Sequence, residues 1–323
     1  MSITDAVEQV GGLQTQYAPS GYVGLWTRLA DFPRDALTSA LEERSLVQAT
    51  LMRATIHVVS AAEFWRYALG VRQARRQWAL RVRGGDSAEP AMQAFADRMR
   101  KALADGPRTV KELGELAAGF VGHLGLWVDL VRVPPSGTWE HRRADRLGLA
   151  DDWIGPCDAD EAEGLEHLVR AYLRAFGPSA WRDIASWAGI PVSDARRGGD
   201  RLGLRRYRDE AGRELIDLAD AVLPDLETPA PVRFLPHWDA TLLVHARRAG
   251  ILPEEYRPRI FSIRKPFSVG TYLVDGSVAG AWSLRDGRVE LDPYEELRTS
   301  EQPAVERERE ALEAFHAGRQ ESH

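Results

Sequence analysis

Cysteine is almost missing from this sequence, since Cys157 is the only one among 323 residues. An intrachain disulfide therefore cannot form, and a thiolate zinc cluster cannot be assembled. The eight histidines include no pair spaced four residues apart, which removes the usual helical metal motif. We expect no metal and no other cofactor, and a reducing cytoplasm as the compartment.

Long hydrophobic runs are missing as well. No apolar segment approaches the roughly 20 residues that a membrane-spanning helix needs. The first ten residues carry acids where a signal peptide would have an apolar core, so neither membrane insertion nor export is predicted. With 44% hydrophobic and 28% charged residues, the chain can form two or three small globular domains.

An overall basic surplus is absent too, because the formal net charge is -6 and the sequence pI is about 5.8. This balance argues against a generic nucleic-acid binder. The charge is uneven, however: residues 64–85 contain six arginines and no acid, and residues 196–208 contain six arginines and one aspartate. Such runs suit phosphate contacts, but they fit equally well solvated helix faces that pair with acids elsewhere.

A weak internal repeat gives the main structural signal, in which two helical stretches are followed by a β-hairpin. In the clearest copy, Pro178 and Ser179 open a helix, Pro191 begins a second helix, and residues 202–208 and 214–217 form two strands. Another copy has a helix at 110–120, a strand at 126–133 and a return strand at 138–141. The first copy has a helix from 32 to 44 and a hairpin of 46–51 with 54–59. This order of elements is that of the winged helix.

After Pro224 the sequence is rich in β-strand patterns, at residues 232–235, 260–263, 270–274, 277–282 and 288–291. Asp275 and Gly276 predict a type I′ hairpin turn. We therefore predict an α+β protein with three tandem winged-helix units. The predicted units are 1–60 (first winged helix), 61–103 (helical insert), 104–150 (second), 151–223 (linker helix and third), 224–298 (C-terminal β-rich domain) and 299–323 (charged helix).

The segment around Gln14 and Gln16 is the best candidate for chemistry. A glycine pair precedes it and Pro19 follows it, which favours non-helical backbone. In an extended segment, residues two apart project to the same side. Two amides on one side can hold a water molecule between them, although two polar residues on a solvated segment would be the simpler interpretation.

Several motifs, in this order, carry a resemblance to a known family, the winged-helix DNA-binding-domain proteins that include the AlkZ and YcaQ DNA glycosylases. The resemblance covers most of the chain. The motifs are Leu13-Gln14-Thr15-Gln16, Leu51-Met52-Arg53-Ala54-Thr55-Ile56-His57-Val58-Val59, Val133-Pro134-Pro135-Ser136-Gly137-Thr138-Trp139, Pro236-His237-Trp238-Asp239 with Leu242-Leu243-Val244-His245-Ala246-Arg247, and Gly270-Thr271-Tyr272-Leu273-Val274-Asp275-Gly276 with Val278-Ala279-Gly280-Ala281-Trp282.

The resemblance implies a function and a site. The AlkZ branch carries a Gln-x-Gln motif, so Gln14 and Gln16 are implied as the catalytic residues. The implied protein is a monofunctional, monomeric glycosylase with a C-shaped channel around duplex DNA. It would release N7-alkylguanine or unhook alkylation crosslinks, in DNA repair or in self-resistance to an alkylating natural product. Relatives carry a further helix before the motif, so the first unit is expected to be truncated at its start.

Other residues are candidates for DNA contact through their charge, their aromatic surface or their place in these motifs. For His57 and Trp139 a place in the core is the commoner interpretation, and Asp239 is more often a turn former than a group that orients His245 or Arg247. The candidate contacts are Arg53, His57, Arg72, Arg75, Arg76, Trp139, Arg142, Arg143, His245 and Arg247.

A second functional class stays open from the sequence. Winged helices more often bind DNA than cleave glycosidic bonds, so a non-catalytic transcription regulator or damage sensor is the alternative. The two glutamines favour the enzyme. Excision of an alkylated base from duplex DNA would distinguish the two.

Overall fold

The computed structural model describes residues 1–83, 85–116, 124–225, 227–243, 249–261 and 268–318. Helices and antiparallel sheets occupy separate layers and segments, and the predicted α+β class is confirmed. Within the described ranges, no helix is long and apolar enough to cross a membrane.

Short strands of the N-terminal half pair into one antiparallel sheet. They are β1 (Leu13–Gln14), β2 (Leu46–Thr50), β3 (Ile56–Ser60), β4 (Arg108–Thr109), β5 (Leu130–Arg132) and β6 (Arg146–Leu149). Their order across the sheet is β1-β3-β2-β5-β6-β4. Because Gln48 of β2 lies opposite Arg132 of β5, the sheet combines strands from the first two predicted winged-helix units.

Helices precede and follow the strands of this sheet along the chain. They are α1 (Ile3–Gln9), α2 (Pro19–Trp26), α3 (Asp35–Glu42), α4 (Ala61–Arg83), α5 (Glu89–Leu103), α6 (Val110–Leu116), α7 (Leu124–Trp127) and α8 (Ala150–Ile154). Helix α1 starts at a capping box, in which the Ser2 hydroxyl accepts from the Asp5 amide and the Asp5 carboxylate accepts from the Ser2 amide. The helical character predicted for residues 61–103 is confirmed by α4 and α5.

The third predicted unit shows the expected order of helices followed by a hairpin. Its elements are α9 (Glu161–Phe176), α10 (Trp181–Ala188), α11 (Val192–Gly199), β7 (Leu204–Arg208) and β8 (Glu214–Leu218). Asp160 starts α9 with a second capping box to Glu163, and Gly189 ends α10 in the left-handed conformation.

The C-terminal region contains a four-stranded sheet and a final helix. Its elements are β9 (Arg233–Leu235), α12 (Ala240–Leu243), α13 (Arg257–Ile260), β10 (Gly270–Val274), β11 (Ser277–Arg285), β12 (Arg288–Pro293) and α14 (Gln302–Ala317). The sheet order is β12-β11-β10-β9. Asp275 and Gly276 have φ values of 49° and 75°, as the predicted type I′ turn requires.

One predicted strand is wrong, and two others are changed or only partly described. Residues 138–141 form turns, and the return strand of that hairpin is β6. The Ser136 side chain stabilises the turns, because its hydroxyl accepts from the Asp145 and Arg146 amides and donates to the Arg143 carbonyl. Of the strand predicted at 260–263, Ile260 instead ends α13, Phe261 forms an isolated β-bridge with Ser268, and residues 262–263 lie outside the described ranges. The strand predicted at 126–133 is divided between the end of α7 and β5.

Helices α4 and α9 cross in close backbone contact. Gly70 and Gly164 face one another at this crossing, and a Cβ atom added at Gly70 would lie 2.5 Å from the Gly164 carbonyl oxygen. The buried ring of Trp187 from α10 packs beside Tyr67 of α4 and Tyr172 of α9. This packing holds α9 and α10 of the third predicted unit against α4.

Candidate active site

The backbone around Gln14 is extended, as the sequence predicted. Gly11 and Gly12 have φ values of 70° and 84°, and they turn the chain from α1 into β1. Gln14 lies opposite His57 in the pairing of β1 with β3. Leu13 and Thr15 are buried, whereas Gln14 is half-buried and Gln16 is exposed. This alternation places the two glutamines on the face opposite to Leu13 and Thr15.

Thr15, the polar residue between the two glutamines, is buried and hydrogen-bonded. Thr15 is 1% exposed, and its hydroxyl accepts from the Gln48 side-chain amide at 3.1 Å. The same amide donates to the Gly137 carbonyl at 3.2 Å. A buried hydroxyl with a partner is tolerated in a core, so Thr15 holds the strand in register without an apolar side chain.

Arg53 connects the first glutamine to the third unit. Its Nη2 donates to Gln14 Oε1 at 2.6 Å, and its Nη1 donates to the Trp187 carbonyl oxygen. The residue has left-handed backbone angles (φ 52°, ψ 23°) in the 3₁₀ turn between β2 and β3. A Cβ atom at Gly189 would lie 2.9 Å from the Arg53 backbone, so only glycine fits beside it. Arg53, predicted as a DNA contact, is placed to orient Gln14.

His57 is buried at 2% exposure beneath this arginine. Its Nδ1 lies 3.0 Å from the Thr55 carbonyl, so Nδ1 carries the proton and Nε2 accepts from Arg53 Nη2 at 3.5 Å. Burial and then the Arg53 charge lower the pKa of His57 to about 3. The structure therefore places His57 in the core as a neutral imidazole, and its predicted role as a direct DNA contact is not supported by this placement.

The hydrogen bonds of the two glutamines define what the site can do. Gln16 Oε1 accepts from the Ile56 amide at 3.2 Å, as Gln14 Oε1 accepts from Arg53. Each carbonyl oxygen keeps a second lone pair, and each NH₂ group keeps donors for a ligand. Among the described residues, no carboxylate bonds to either glutamine, Arg53 or His57. The arrangement can orient a water molecule but offers it no general base.

The buried imidazole predicts a pH dependence of stability. In the unfolded chain, His57 binds a proton near pH 6.5, whereas in the folded protein it stays neutral down to about pH 3. The stabilisation is therefore complete above pH 6.5 and is lost as the pH falls towards 3. Lowering the pH from about 7.5 to about 5.5 should reduce the free energy of unfolding by about 1.4 kcal/mol through this residue.

Urea denaturation of the wild-type protein and of His57→Gln at both pH values checks this expectation. The variant should lose about 1.4 kcal/mol less than the wild type between the two conditions. Equal losses would show that His57 titrates alike in both states.

The α4 arginines that were predicted to contact DNA phosphates interact with groups of the protein itself. Arg75 is 5% exposed and donates to the Asp129 carboxylate and to the carbonyls of Thr50, Gly125 and Ala68. The guanidinium is buried and its Nη1 and Nη2 are both engaged, so this placement does not favour the predicted DNA contact. Arg72 also pairs with Asp129, at 2.7 Å, and keeps a 29% exposed side chain.

Arg76 is half-buried above the Trp127 ring, with its guanidinium carbon 5.3 Å from the ring centre. A run of arginines does not by itself show which members face inward, because one helix presents all its faces within two turns.

In the second arginine run, several side chains pair with nearby acids. This pattern fits the interpretation as a solvated surface, and it leaves their contact with DNA untested. The pairs are Arg197 with Glu161 and Asp194, Arg201 with Glu166, and Arg206 with Glu214.

Trp139 is a core residue rather than an exposed DNA contact. It is 7% exposed and packs edge-on against Tyr22 and Phe315. Arg142 is exposed, lies 5.6 Å from the Trp139 ring centre and donates to the Tyr17 hydroxyl at 3.3 Å. Arg143 is also exposed and lies 3.5 Å from Asp145. The two arginines keep the surface position that a phosphate contact needs.

Asp239 binds an arginine that the sequence did not single out. Its carboxylate accepts two hydrogen bonds from Arg28, at 2.8 and 3.0 Å. Burial alone would raise the pKa of Asp239, but the Arg28 charge and hydrogen bonds lower it. Asp239 thus connects α12 to the end of α2. Its expected partners, His245 and Arg247, lie outside the described residues.

A second half-buried arginine, Arg132, was also missed from the sequence. Arg132 interrupts an apolar strand, and its Nη2 donates to Thr50 Oγ1 at 2.9 Å. Burial lowers its pKa to about 10. An arginine inside the sequence Leu130-Val131-Arg132-Val133 was the available signal, because a charge in a buried strand needs a reason.

Comparison with known proteins identifies the family. Residues 7–315 match the sequence model of the AlkZ-like DNA glycosylases. The chain belongs to the AlkZ-like DNA glycosylase family. No curated protein sequence matches it. The solved structure of the Streptomyces sahachiroi DNA glycosylase AlkZ is similar, with a TM-score of 0.81 at 20% identity, covering 99% of this chain and 92% of that chain.

The AlkZ-like assignment confirms the predicted family and the predicted kind of function. The protein is a DNA glycosylase, and the family supports action in alkylation repair or crosslink unhooking. At 20% identity the structural likeness shows the shared fold. The roles of Gln14, Gln16 and the surrounding arginines therefore have to be argued from this chain's own geometry.

Proposed function

We propose that the protein is a monofunctional, monomeric DNA glycosylase that hydrolyses the N-glycosidic bond of N7-alkylguanine in duplex DNA. Gln14 and Gln16 position the attacking water, and Arg53 orients Gln14. A DNA substrate is compatible with the cytoplasmic location that we propose. A single chain supplies both glutamines and Arg53, which supports action as a monomer.

The proposal depends on the side-chain amides of Gln14 and Gln16 and on the Arg53 guanidinium, which Gln14 and the Trp187 carbonyl hold in place. In the described residues, no carboxylate takes part in these hydrogen bonds. Alkylation at N7 gives the purine a positive charge, so the base departs without protonation. The C1′–N9 bond breaks with its electron pair going to the purine, and the water oxygen bonds to C1′. The water then releases a proton to solvent. Placing that water near an oxocarbenium-like sugar is work that amides can do.

Two of the three lysines lie away from the glutamines, and the third, Lys265, lies outside the described residues. A bifunctional glycosylase needs an amine that forms a Schiff base with the sugar. Lys101 and Lys111 are exposed on α5 and α6, and neither contacts the glutamines or Arg53 in the described structure. Water is therefore the proposed nucleophile.

Three surface arginines support a path for the DNA strand near the site. Arg142 and Arg143 are exposed in the turns after Trp139, and Arg72 is partly exposed on α4. Guanidinium groups at such positions can hold phosphates without reading the sequence. We propose that the duplex lies in a channel that the predicted winged-helix units share.

The test is release of N7-methylguanine from a duplex oligonucleotide that contains one such base. Chromatography should detect the free base, and alkaline cleavage should detect the abasic site. The protein should leave the abasic strand uncut before alkali. Matched undamaged duplex and a protein-free sample measure spontaneous depurination. Tight duplex binding without base release from any alkylated duplex would favour the non-catalytic alternative.

A further inference from the structure

Trp238 has a backbone conformation that bulky residues seldom adopt. Its φ value is 63°, in the left-handed region, where a large side chain is strained. Such strain persists only where the surrounding structure imposes it, and strained residues concentrate at ligand-binding and catalytic positions. The surroundings of Trp238 therefore indicate what its side chain is held for.

Polar contacts hold Trp238 and both of its chain neighbours. On one side, the buried Asp239 carboxylate accepts from Arg28 at 2.8 and 3.0 Å. On the other side, His237 Nδ1 donates to the Ser268 carbonyl oxygen at 2.6 Å. The Trp238 amide itself donates to Ser268 Oγ at 3.0 Å. These contacts impose the left-handed angles on Trp238.

The side chain of Trp238 is less constrained than its backbone. It is half-buried, and within the described ranges its indole makes no hydrogen bond and no ring contact. Its Nε1 is not one of the buried atoms that lack a partner, so this donor is accessible. Trp238 therefore carries backbone strain without a hydrogen bond or a ring partner in return. It presents an aromatic face and an unused donor to a ligand.

Tyr17 and Arg142 extend this aromatic surface to the glutamines. Tyr17 directly follows Gln16, is 42% exposed and lies edge-on to the His237 ring, with the ring centres 5.5 Å apart. The exposed Arg142 donates to the Tyr17 hydroxyl at 3.3 Å. Aromatic side chains beside an exposed guanidinium suit an unpaired nucleotide, because the base stacks on a ring and the phosphate pairs with the cation.

We propose that Tyr17 and Trp238 bind the base opposite the lesion, which loses its pairing partner when the damaged nucleotide is engaged. The inference rests on the proposed function and names a second nucleotide that the protein recognises. The alkylated purine is cationic, and the Arg142 guanidinium beside Tyr17 disfavours a cation there. The opposite base is uncharged. Its stacking on Trp238 offsets the loss of the base pair and stabilises the opened duplex.

Binding to duplexes that contain tetrahydrofuran, a stable abasic analogue, tests this contact without requiring catalysis. One duplex has cytosine opposite the analogue, and a second has another tetrahydrofuran in place of that cytosine. The wild-type protein should bind the first duplex about tenfold more tightly, a size typical of one base stacked on an aromatic side chain. Trp238→Asn should bind both duplexes alike, and Trp238→Phe should keep most of the difference.

The backbone strain predicts that Trp238→Asn is not destabilised. Asparagine adopts the left-handed conformation more readily than tryptophan, so the urea midpoint of this variant should equal or exceed that of the wild type. Trp153→Asn is the matched control. Trp153 is also half-buried, but it lies in helix α8 with the Arg44 guanidinium 4.0 Å from its ring centre. This control should unfold at lower urea and keep the preference for the unpaired cytosine.

Equal affinity of the wild-type protein for the two duplexes, or a preference that Trp238→Asn retains, would overturn the proposal. A lower urea midpoint for Trp238→Asn would do the same, because the ring would then stabilise the fold. If Trp238→Asn loses the preference but the wild-type protein releases no N7-methylguanine, the proposed function fails and the contact to the opposite base stands. Release of N7-methylguanine without this preference gives the reverse result.

Discussion

Replacing Gln14 and Gln16 together by alanine is expected to reduce the single-turnover rate of N7-methylguanine release at least about 100-fold. Loss of the groups that position a nucleophile commonly has an effect of this size. The substitution removes both amides from the face where β1 meets β3, while Leu13 and Thr15 keep their buried contacts. Affinity for the duplex should change little, since the proposed phosphate contacts are arginines.

The hydrogen bond from Arg53 predicts a difference between variants at position 14. Gln14→Glu keeps an oxygen that accepts from Arg53 Nη2, whereas Gln14→Ala leaves that donor without this acceptor and the guanidinium held through the Trp187 carbonyl. We therefore expect Gln14→Glu to retain more activity than Gln14→Ala.

Gln302→Ala is the matched amide control for these variants. The Gln302 amide donates to the Leu297 carbonyl near the start of α14, and its loss should leave the rate unchanged. If the double variant released the base at the wild-type rate when the same fraction of DNA was bound, the two glutamines would have no part in the mechanism.

The local features of this fold could be predicted from the sequence. The glycine pair and Pro19 predicted extended backbone at Gln14, and Asp275-Gly276 predicted the turn between β10 and β11. Both depend on residues adjacent in the chain. The turns at 138–141 were missed because the hydroxyl of Ser136, seven to ten residues away from its partners, replaces backbone pairing there.

The site depends on contacts that sequence patterns do not contain. Arg53 bonds to Trp187, which lies 134 residues further along the chain, and no spacing rule relates the two. The inward direction of Arg75 depends on Asp129, which is 54 residues away. The resemblance singled out the two glutamines, and the fold adds that Arg53 donates a hydrogen bond to Gln14.

Substitution of Gly164 by alanine is expected to destabilise the protein by about 2 kcal/mol, although alanine is the better helix former. Inside a helix, the exchange of glycine for alanine gains about 1 kcal/mol from propensity. At this position the new methyl group would overlap the Gly70 backbone nitrogen and would lie 2.8 Å from the Arg66 carbonyl oxygen. Because both contacts are backbone atoms, relief requires separation of α4 from α9, and overpacking of this kind costs about 1–3 kcal/mol or more.

Chemical denaturation of Gly164→Ala beside Gly203→Ala tests the expectation. Nothing lies within 4 Å of a Cβ atom at Gly203, so that control should stay within about 0.5 kcal/mol of the wild type or be slightly more stable. Helix α9 carries Tyr172, which packs against Trp187, and the Trp187 carbonyl anchors Arg53. Separation of α9 from α4 should therefore also disturb Gln14, and we expect slower excision by Gly164→Ala even where the variant remains folded. Full activity with reduced stability would show that the anchoring of Arg53 does not depend on this helix crossing.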